Sequence, residues 1–324
     1  MVKYLWKIAV IAVLLALLLV LVPSPVSNYD AFAEVIELGL TDVGLPVNWA
    51  NYTSDTHYED PSLTVDIYTG GRIYDTNYMY AIVKIANGTQ IRTAVAGDRI
   101  SGTYKAIGST IASAKNAVFA VNGDYFKEYS HGYLVRQGTR YRNSPRKKWD
   151  MLIIDQYGDL HVLLEPTDEK VQAWIDEHPD LTIVNSFNFG PAMLVDGEQT
   201  RETFNNVKIN LNTDDIGTYK QAQRMCICQL APLTYLFVTS EGPEDKNSVG
   251  LTMDQFLDCI REIDAGLEEY DVQIAYNLDG GSSSTMVFKA PGENALKKIN
   301  APTNPKVRYL CDIIYFASAW QPEQ

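Results

Sequence analysis

Residues 277–286 read Asn277-Leu278-Asp279-Gly280-Gly281-Ser282-Ser283-Ser284-Thr285-Met286, between an apolar run at 272–276 and a second at 284–288. Two short apolar runs separated by a Gly-Gly turn predict a strand that enters the turn and another that leaves it. The glycines Gly280 and Gly281 admit positive φ and close approach of backbone. Successive N–H groups with the hydroxyls of Ser282, Ser283, Ser284 and Thr285 suit a concave donor nest that wraps an anion. Asn277 and Asp279 put an amide and a carboxylate directly after a buried strand, where a fold holds functional groups most firmly.

Working outward, residues 252–267 predict an amphipathic helix. Thr252 and Gln255 form a capping box, and Met253, Phe256, Leu257, Ile260 and Ile263 repeat on one face. Residues 225–230, 234–239, 63–68 and 78–86 read as strands, as does the closing run 309–316. A helix over 103–115 is followed at once by a strand at 117–121, which delivers Asn122-Gly123-Asp124 to a turn. Met151–Asp155 and residues 160–164 flank Gln156-Tyr157-Gly158-Asp159 as a hairpin, and Thr167 caps a short helix over 167–177. Many strands, few helices and no βα rhythm predict an α+β fold, a single domain over 63–320 around a mixed, mostly antiparallel sheet. Residues 24–62 lack a sustained period and read as an irregular linker.

Lys3 and Lys7 precede an unbroken apolar stretch over 8–22, closed by Pro23, with no acidic residue before Asp30. Residues 1–23 therefore read as an export leader, which predicts an extracytoplasmic protein. The length lies between a cleaved signal peptide and a spanning anchor, so both membrane-anchored and secreted forms stay open. Ala31-Phe32-Ala33 offers a cleavage site, but the polar stretch 24–30 separates it from the apolar core, which favours an uncleaved anchor in the membrane.

Net charge is −13 with 46% hydrophobic and 21% charged residues, enough apolar content for a sizeable core. That acidity argues against a nucleic-acid partner, whose phosphates need clustered Lys and Arg. The tract 140–148 is the one basic cluster, and it suits a solvated loop as well as contact with an anionic substrate. Cys226, Cys228, Cys259 and Cys311 lack zinc-site spacing, and His57, His131, His161 and His178 show no i,i+4 pairing, so no metal and no cofactor is predicted. The cysteines read as buried thiols; a disulfide from Cys226 or Cys228 to Cys311 is the lesser alternative. No Gly-x-Ser-x-Gly elbow is present, which lowers an esterase reading.

The 277–286 run resembles the NLDGGGSSTM signature of the phosphodiester glycosidase family. Further stretches resemble that family in the same order: Ala120-Val121-Asn122-Gly123-Asp124-Tyr125-Phe126, then Gly132 to Gly138 with its Arg136-x-Gly ending. Phe189 to Val195, Gly250-Leu251-Thr252 and Pro302-Thr303-Asn304 through Arg308 to Tyr315 complete the series. The resemblance spans about residues 80–316. It implies a hydrolase that cleaves a sugar from a phosphodiester, acting on a phosphorylated glycan or sugar-1-phosphodiester. Three departures stand out: Ser282 replaces the third signature glycine, Met225-Cys226 replaces small residues after Arg224, and Ser240-Glu241-Gly242-Pro243 lacks an expected arginine.

The phosphate released in such a reaction is already a competent leaving group, since its second pKa is about 6. The transition state asks instead for fixed positive charge and a polar cradle around the sugar. Arg224 and Arg308 are the expected phosphate clamp. Asp279 is the expected base or nucleophile, Asp124 the second carboxylate and Glu241 a weaker candidate. Asn122, Gly123, Arg136, Asn277 and the turn Gly280–Thr285 are expected to line the substrate site, with His131 a lesser candidate. The alternative is a glycan-phosphate binding protein that keeps the cradle without turnover.

Overall fold

Strand Arg224–Ala231 sets the layering, because its side chains alternate between two hydrophobic clusters. Met225 and Ile227 join one cluster, and Cys226 and Cys228 join another. The computed structural model describes residues 34–207, 217–301, 304 and 306–321. The expected leader over 1–23, the adjoining Ala31-Phe32-Ala33 site and Pro302-Thr303 lie outside the described residues. Among the described residues no helix is long and apolar enough to cross a membrane.

Val35–Trp320 makes up one compact unit. Its eight-stranded sheet runs, in spatial order, Glu198–Gln199, Ala192–Val195, Ile274–Asn277, Arg224–Ala231, Thr234–Ser240, Thr76–Ile85, Leu63–Ile73 and His57–Asp60. A five-stranded sheet runs Leu296–Lys298, Met286–Lys289, Phe119–Asn122, Asp312–Phe316 and Ile91–Val95. A three-stranded sheet holds Met151–Asp155 between Leu160–Leu163 and Ile183–Phe187. Pairing between these strands is antiparallel throughout.

The main core lies between the sheets. Val65, Ala81, Ile227 and Phe237 of the large sheet meet Phe119, Val121, Ile314 and Phe316 of the five-stranded one, with Leu152, Ile154 and Phe187 closing one side. The outer face of the large sheet is covered by helix Met253–Asp264, whose Met253, Phe256, Leu257, Ile260 and Ile263 are buried. Each such side chain contributes about 2 kcal/mol by leaving water. The predicted capping box is present, with Thr252 accepting from Gln255 N at 3.3 Å and Gln255 accepting from Thr252 N at 3.0 Å. Helix Gly108–Ala114 covers the outer face of the five-stranded sheet through Ile111 and Ala112. It is shorter than the predicted span because Ala106–Ile107 pairs as a strand with Tyr309–Leu310.

Of the stretch read as linker, residues 35–62 are built into this unit. His57–Asp60 is an edge strand, and Tyr52 and Tyr58 enter the main core, with Tyr52 OH donating to Val118 O at 2.8 Å. Buried Arg92 fastens the earlier part by donating to Gly39 O and Asp42 O, each at 2.8 Å. The aperiodic sequence hid this packing because one arginine and isolated aromatics hold the segment. All four cysteines are free and buried. Cys226 and Cys228 face the helix with their sulfurs 3.7 Å apart, whereas Cys311 packs with Val95, Phe126 and Leu134, so the alternative disulfide is not formed.

Candidate active site

Both sheets end their central strands at one place. Asn122 closes Phe119–Asn122, and its side-chain amide donates to Asp279 O at 2.7 Å and Gly123 O at 3.1 Å. Its Oδ1 accepts from Thr285 N at 2.9 Å. One side chain thus wires the start and the end of the 279–285 loop to the opposite sheet. Asp279 N donates to Gly123 O at 3.3 Å, and Gly123 N donates to Asp312 O at 3.2 Å. A Cβ at Gly123 would lie 2.5 Å from Asp312 Oδ1, so glycine is required there by close approach.

Around this crossing stand three carboxylates and one guanidinium. Arg136, at the end of strand Leu134–Arg136, donates to Asp312 Oδ2 from Nε at 3.0 Å and from Nη2 at 2.7 Å, and to Asp124 Oδ1 at 3.0 Å. Its Nη1 also donates to the carbonyl of Ser186, and its guanidinium lies 4.3 Å from the centre of the Phe187 ring. All three charged groups are buried. Burial pushes the Asp312 carboxyl up, aided by Asp124 and Asp279 and opposed by Arg136. Arg136 is therefore committed to holding carboxylates in place rather than free for a ligand.

Asp279 is half-buried and lines a narrow cleft with Lys105, Asn122, Gly123, Asp124, Tyr125 and Ser283. Burial pushes its carboxyl up to about 7; the Ser283 side chain and the Arg308 charge pull it down, while Asp124 adds to the rise. A carboxyl poised near neutrality in a cleft is suited to proton transfer or to attack on a reacting centre.

The loop is less of a nest than its sequence suggests. Of the amides from Leu278 to Thr285, those of Leu278, Asp279, Gly281, Ser283, Ser284 and Thr285 are bonded within the protein. Gly281 N, for instance, donates to Gln223 O at 2.8 Å, with Gly281 at φ 57°. Among the side chains, Ser284 Oγ and Thr285 Oγ1 are buried without a partner among the described residues, and Ser282 is exposed. Gly281, Ser282 and Ser284 form one wall of a groove of about 360 Å³ that also holds Asp245, Lys298 and Arg308. Gly280 is pinned differently, since a Cβ there would lie 2.8 Å from Gln223 O. Asn277 serves as an anchor, donating from Nδ2 to Gly190 O at 2.7 Å ahead of the cis Gly190-Pro191 bond.

Arg224 takes another task than the expected clamp. It is buried, its Nε donates to Leu251 O at 2.9 Å, and its Nη2 donates to Lys220 O at 2.5 Å and Thr218 O at 3.4 Å. Those bonds tie the approach to the strand onto the head of helix Met253–Asp264. Burial lowers the Arg224 pKa to about 10. Glu241 is likewise engaged, accepting from Asn77 Nδ2 at 2.8 Å and Ser248 Oγ at 2.6 Å. His131 is exposed and contributes its backbone carbonyl to Arg142. Sequence reading missed Asp312, Lys105 and Lys298. Asp312 left a signal, since a charge heading the buried run Asp312–Phe316 must have a partner. Among the described residues no group of three or more His, Cys, Asp or Glu is arranged to hold a metal ion.

A half-buried carboxyl at the strand ends thus has a second carboxylate, amides and hydroxyls around it and a groove of mixed charge beside it, an arrangement that can serve acid–base or nucleophilic chemistry. The sequence profile for phosphodiester glycosidases matches residues 115–317, and the chain belongs to that family. Among solved structures it is similar to the zebrafish N-acetylglucosamine-1-phosphodiester alpha-N-acetylglucosaminidase catalytic domain auto-inhibited by its pro-peptide. That likeness has 16% identity and a TM-score of 0.59, covering 88% of this chain and 98% of the other. A hypothetical protein from Synechocystis is similar at 12% identity and a TM-score of 0.52, covering 78% of this chain and 62% of that one. At such identities the likeness is one of fold. A comparison with curated protein sequences gives no match.

Proposed function

We propose that the protein is an extracytoplasmic hydrolase that cleaves the glycosidic bond of sugar-1-phosphodiesters, N-acetylglucosamine-1-phosphodiesters among them, in envelope or environmental glycans. The observation that carries this reading is Asp279, a carboxyl raised to about 7 in a cleft whose neighbouring groove presents Arg308 and Lys298. The sugar would sit over Asp279 and Ser283, and the phosphate toward Arg308 and the free hydroxyls of Ser282 and Ser284. Lys298, Lys306 and Arg308 on the groove supply the positive charge that the Ser240–Pro243 stretch lacks. The phosphate leaves without needing a proton, so Asp279 acts at the anomeric carbon and Asp124, fixed by Arg136, shapes the sugar side. The apolar leader supports a membrane-anchored or secreted setting.

The test is release of free sugar from N-acetylglucosamine 1-(methyl phosphate), followed by proton NMR of the first-formed anomer. Inversion marks Asp279 as a base toward water, and retention marks it as a nucleophile. A glycan-phosphate binding protein without turnover is the second reading, favoured by the tightness of the cleft, about 10 Å³. Saturable binding with no release from any sugar-1-phosphodiester would decide for it.

A further inference from the structure

Beyond Asp124, past Tyr129, lies an arginine that the site described above does not use. Tyr129 OH donates to Asp124 Oδ2 at 3.3 Å, and the ring of Tyr129 has the Arg146 guanidinium 4.2 Å from its centre. The same guanidinium lies 3.3 Å from the centre of the Trp149 ring, and the two rings meet edge to face at 5.4 Å. Backbone N–H of Arg146 donates to Asn188 Oδ1 at 2.6 Å, which pins the loop beneath it. Arg146 is thus boxed by two aromatic rings, which fixes where its guanidinium sits.

What it lacks is a partner. Arg136 pairs with Asp124 and Asp312, and Arg201 pairs with Asp150, but among the described residues Arg146 makes no ion pair. Its Nη1 is buried with no acceptor. An unpaired buried donor costs free energy that an incoming acceptor recovers. Burial lowers the Arg146 pKa, with Tyr129 and Asp124 opposing, as expected of a cation that has shed water without gaining a contact carboxylate. The basic tract 140–148 noted in the sequence thus contains an arginine, half-buried, whose guanidinium lies against two aromatic rings rather than free in solvent.

Resting on the function proposed above, we infer that Arg146 is a specificity-determining residue that receives an anionic group, a carboxylate or a phosphate, on the far side of the sugar from the scissile phosphodiester. Charge couples Asp279 to Arg308 on one hand and to Asp124 on the other, and contacts link Asp124 to Tyr129 and Tyr129 to Arg146, so a sugar seated between Asp279 and Asp124 would extend its outer edge toward Arg146. The chemistry recognised is a charged sugar: a uronic acid or a sugar phosphorylated away from its anomeric carbon.

Three diesters test this: the 1-(methyl phosphate) derivatives of glucose, glucuronic acid and glucose 6-phosphate, which differ only at carbon 6. The full protein is expected to favour one acidic substrate over the glucose compound by about 10-fold or more in kcat/KM. Arg146→Gln is expected to reduce that preference to within about 3-fold, and Arg146→Lys to keep part of it. The acidic arm that responds tells a carboxylate from a phosphate. Equal rates on all three substrates in the unaltered protein, or an equal loss on all three in Arg146→Gln, overturns the inference. If no substrate is hydrolysed, the function proposed above fails by itself. Arg146 is then judged by tryptophan fluorescence, to which Trp149 beside the guanidinium contributes: stronger quenching by glucuronate or glucose 6-phosphate than by glucose, lost in Arg146→Gln, supports the inference, and equal quenching overturns it.

Discussion

The side-chain amide of Asn122 donates to the backbone carbonyl of Asp279 at 2.7 Å, tying the end of a strand in the five-stranded sheet to the loop that leaves the eight-stranded one. The position of the Asp279 carboxyl therefore depends on a residue from the other sheet. Asn122→Ala removes that bond together with the one accepted from Thr285 N. It is expected to cost about 2–3 kcal/mol in urea unfolding and to lower kcat by at least about 100-fold. Asn122→Asp should do worse at pH 8, because it adds a negative charge beside three carboxylates and sets an oxygen against the Asp279 carbonyl. Wild-type turnover in either variant would show that the loop holds its place without the link.

Arg136 is the counter-ion of a buried group rather than a ligand for substrate. Arg136→Met leaves Asp124 and Asp312 uncompensated, at an expected cost of about 3–5 kcal/mol. Adding Asp312→Asn should recover part of that loss, since one of the stranded charges is then removed. Denaturant unfolding of both variants reads the difference directly, and no recovery in the double variant would mean that Asp312 is not the partner that matters.

Two arginines expected to act together are separated by the fold. Arg224 serves backbone carbonyls, so Arg224→Met should lower stability by about 2–3 kcal/mol while the folded fraction keeps kcat/KM within about 3-fold. Arg308 is exposed beside the groove, so Arg308→Gln should leave stability within about 0.5 kcal/mol and reduce kcat/KM by about 100-fold. Thermal melts and kinetics on the same preparations separate the roles. A reversed pattern, with Arg224→Met stable and inactive, would return Arg224 to the phosphate.

Much of this arrangement was legible because it is local. The capping box of Thr252 and Gln255, the hairpin at Gly158 and the strands on either side of the Asp279 loop follow from patterns within a dozen residues. The edge strand His57–Asp60 was not, because what holds the segment before it is the distant Arg92 and the bond from Tyr52 to Val118. The site divides the same way. Asn122, Asp124 and Asp279 stand at strand ends, where sequence marks them. The commitment of Arg136 to Asp312, 176 positions later, is set by tertiary packing alone. The donor nest failed for a related reason: Gln223, Asn122 and the loop itself accept most of the N–H groups that composition made look free.

Asp279 itself couples activity and stability to pH in opposite senses. Its folded pKa is raised from 3.8 to about 7, so the folded state holds a proton that the unfolded chain releases. Stability attributable to this group is fully present below about pH 4 and is lost as pH rises toward 7. Asp279→Asn does not titrate and escapes that loss. Its stability advantage over the unaltered protein should grow between pH 4.5 and 8, by about 1–3 kcal/mol once solvent reaching the half-buried carboxyl is allowed for. Catalysis runs the other way, since base or nucleophile must be ionised: kcat/KM should rise tenfold per pH unit below about 7 and level off above it. Melts of the two proteins at both pH values, beside the kinetic profile of the unaltered one, check both limbs. A stability gap that stays constant with pH would mean that Asp279 ionises as easily in the folded protein as in water, which would leave the catalytic assignment without its physical basis.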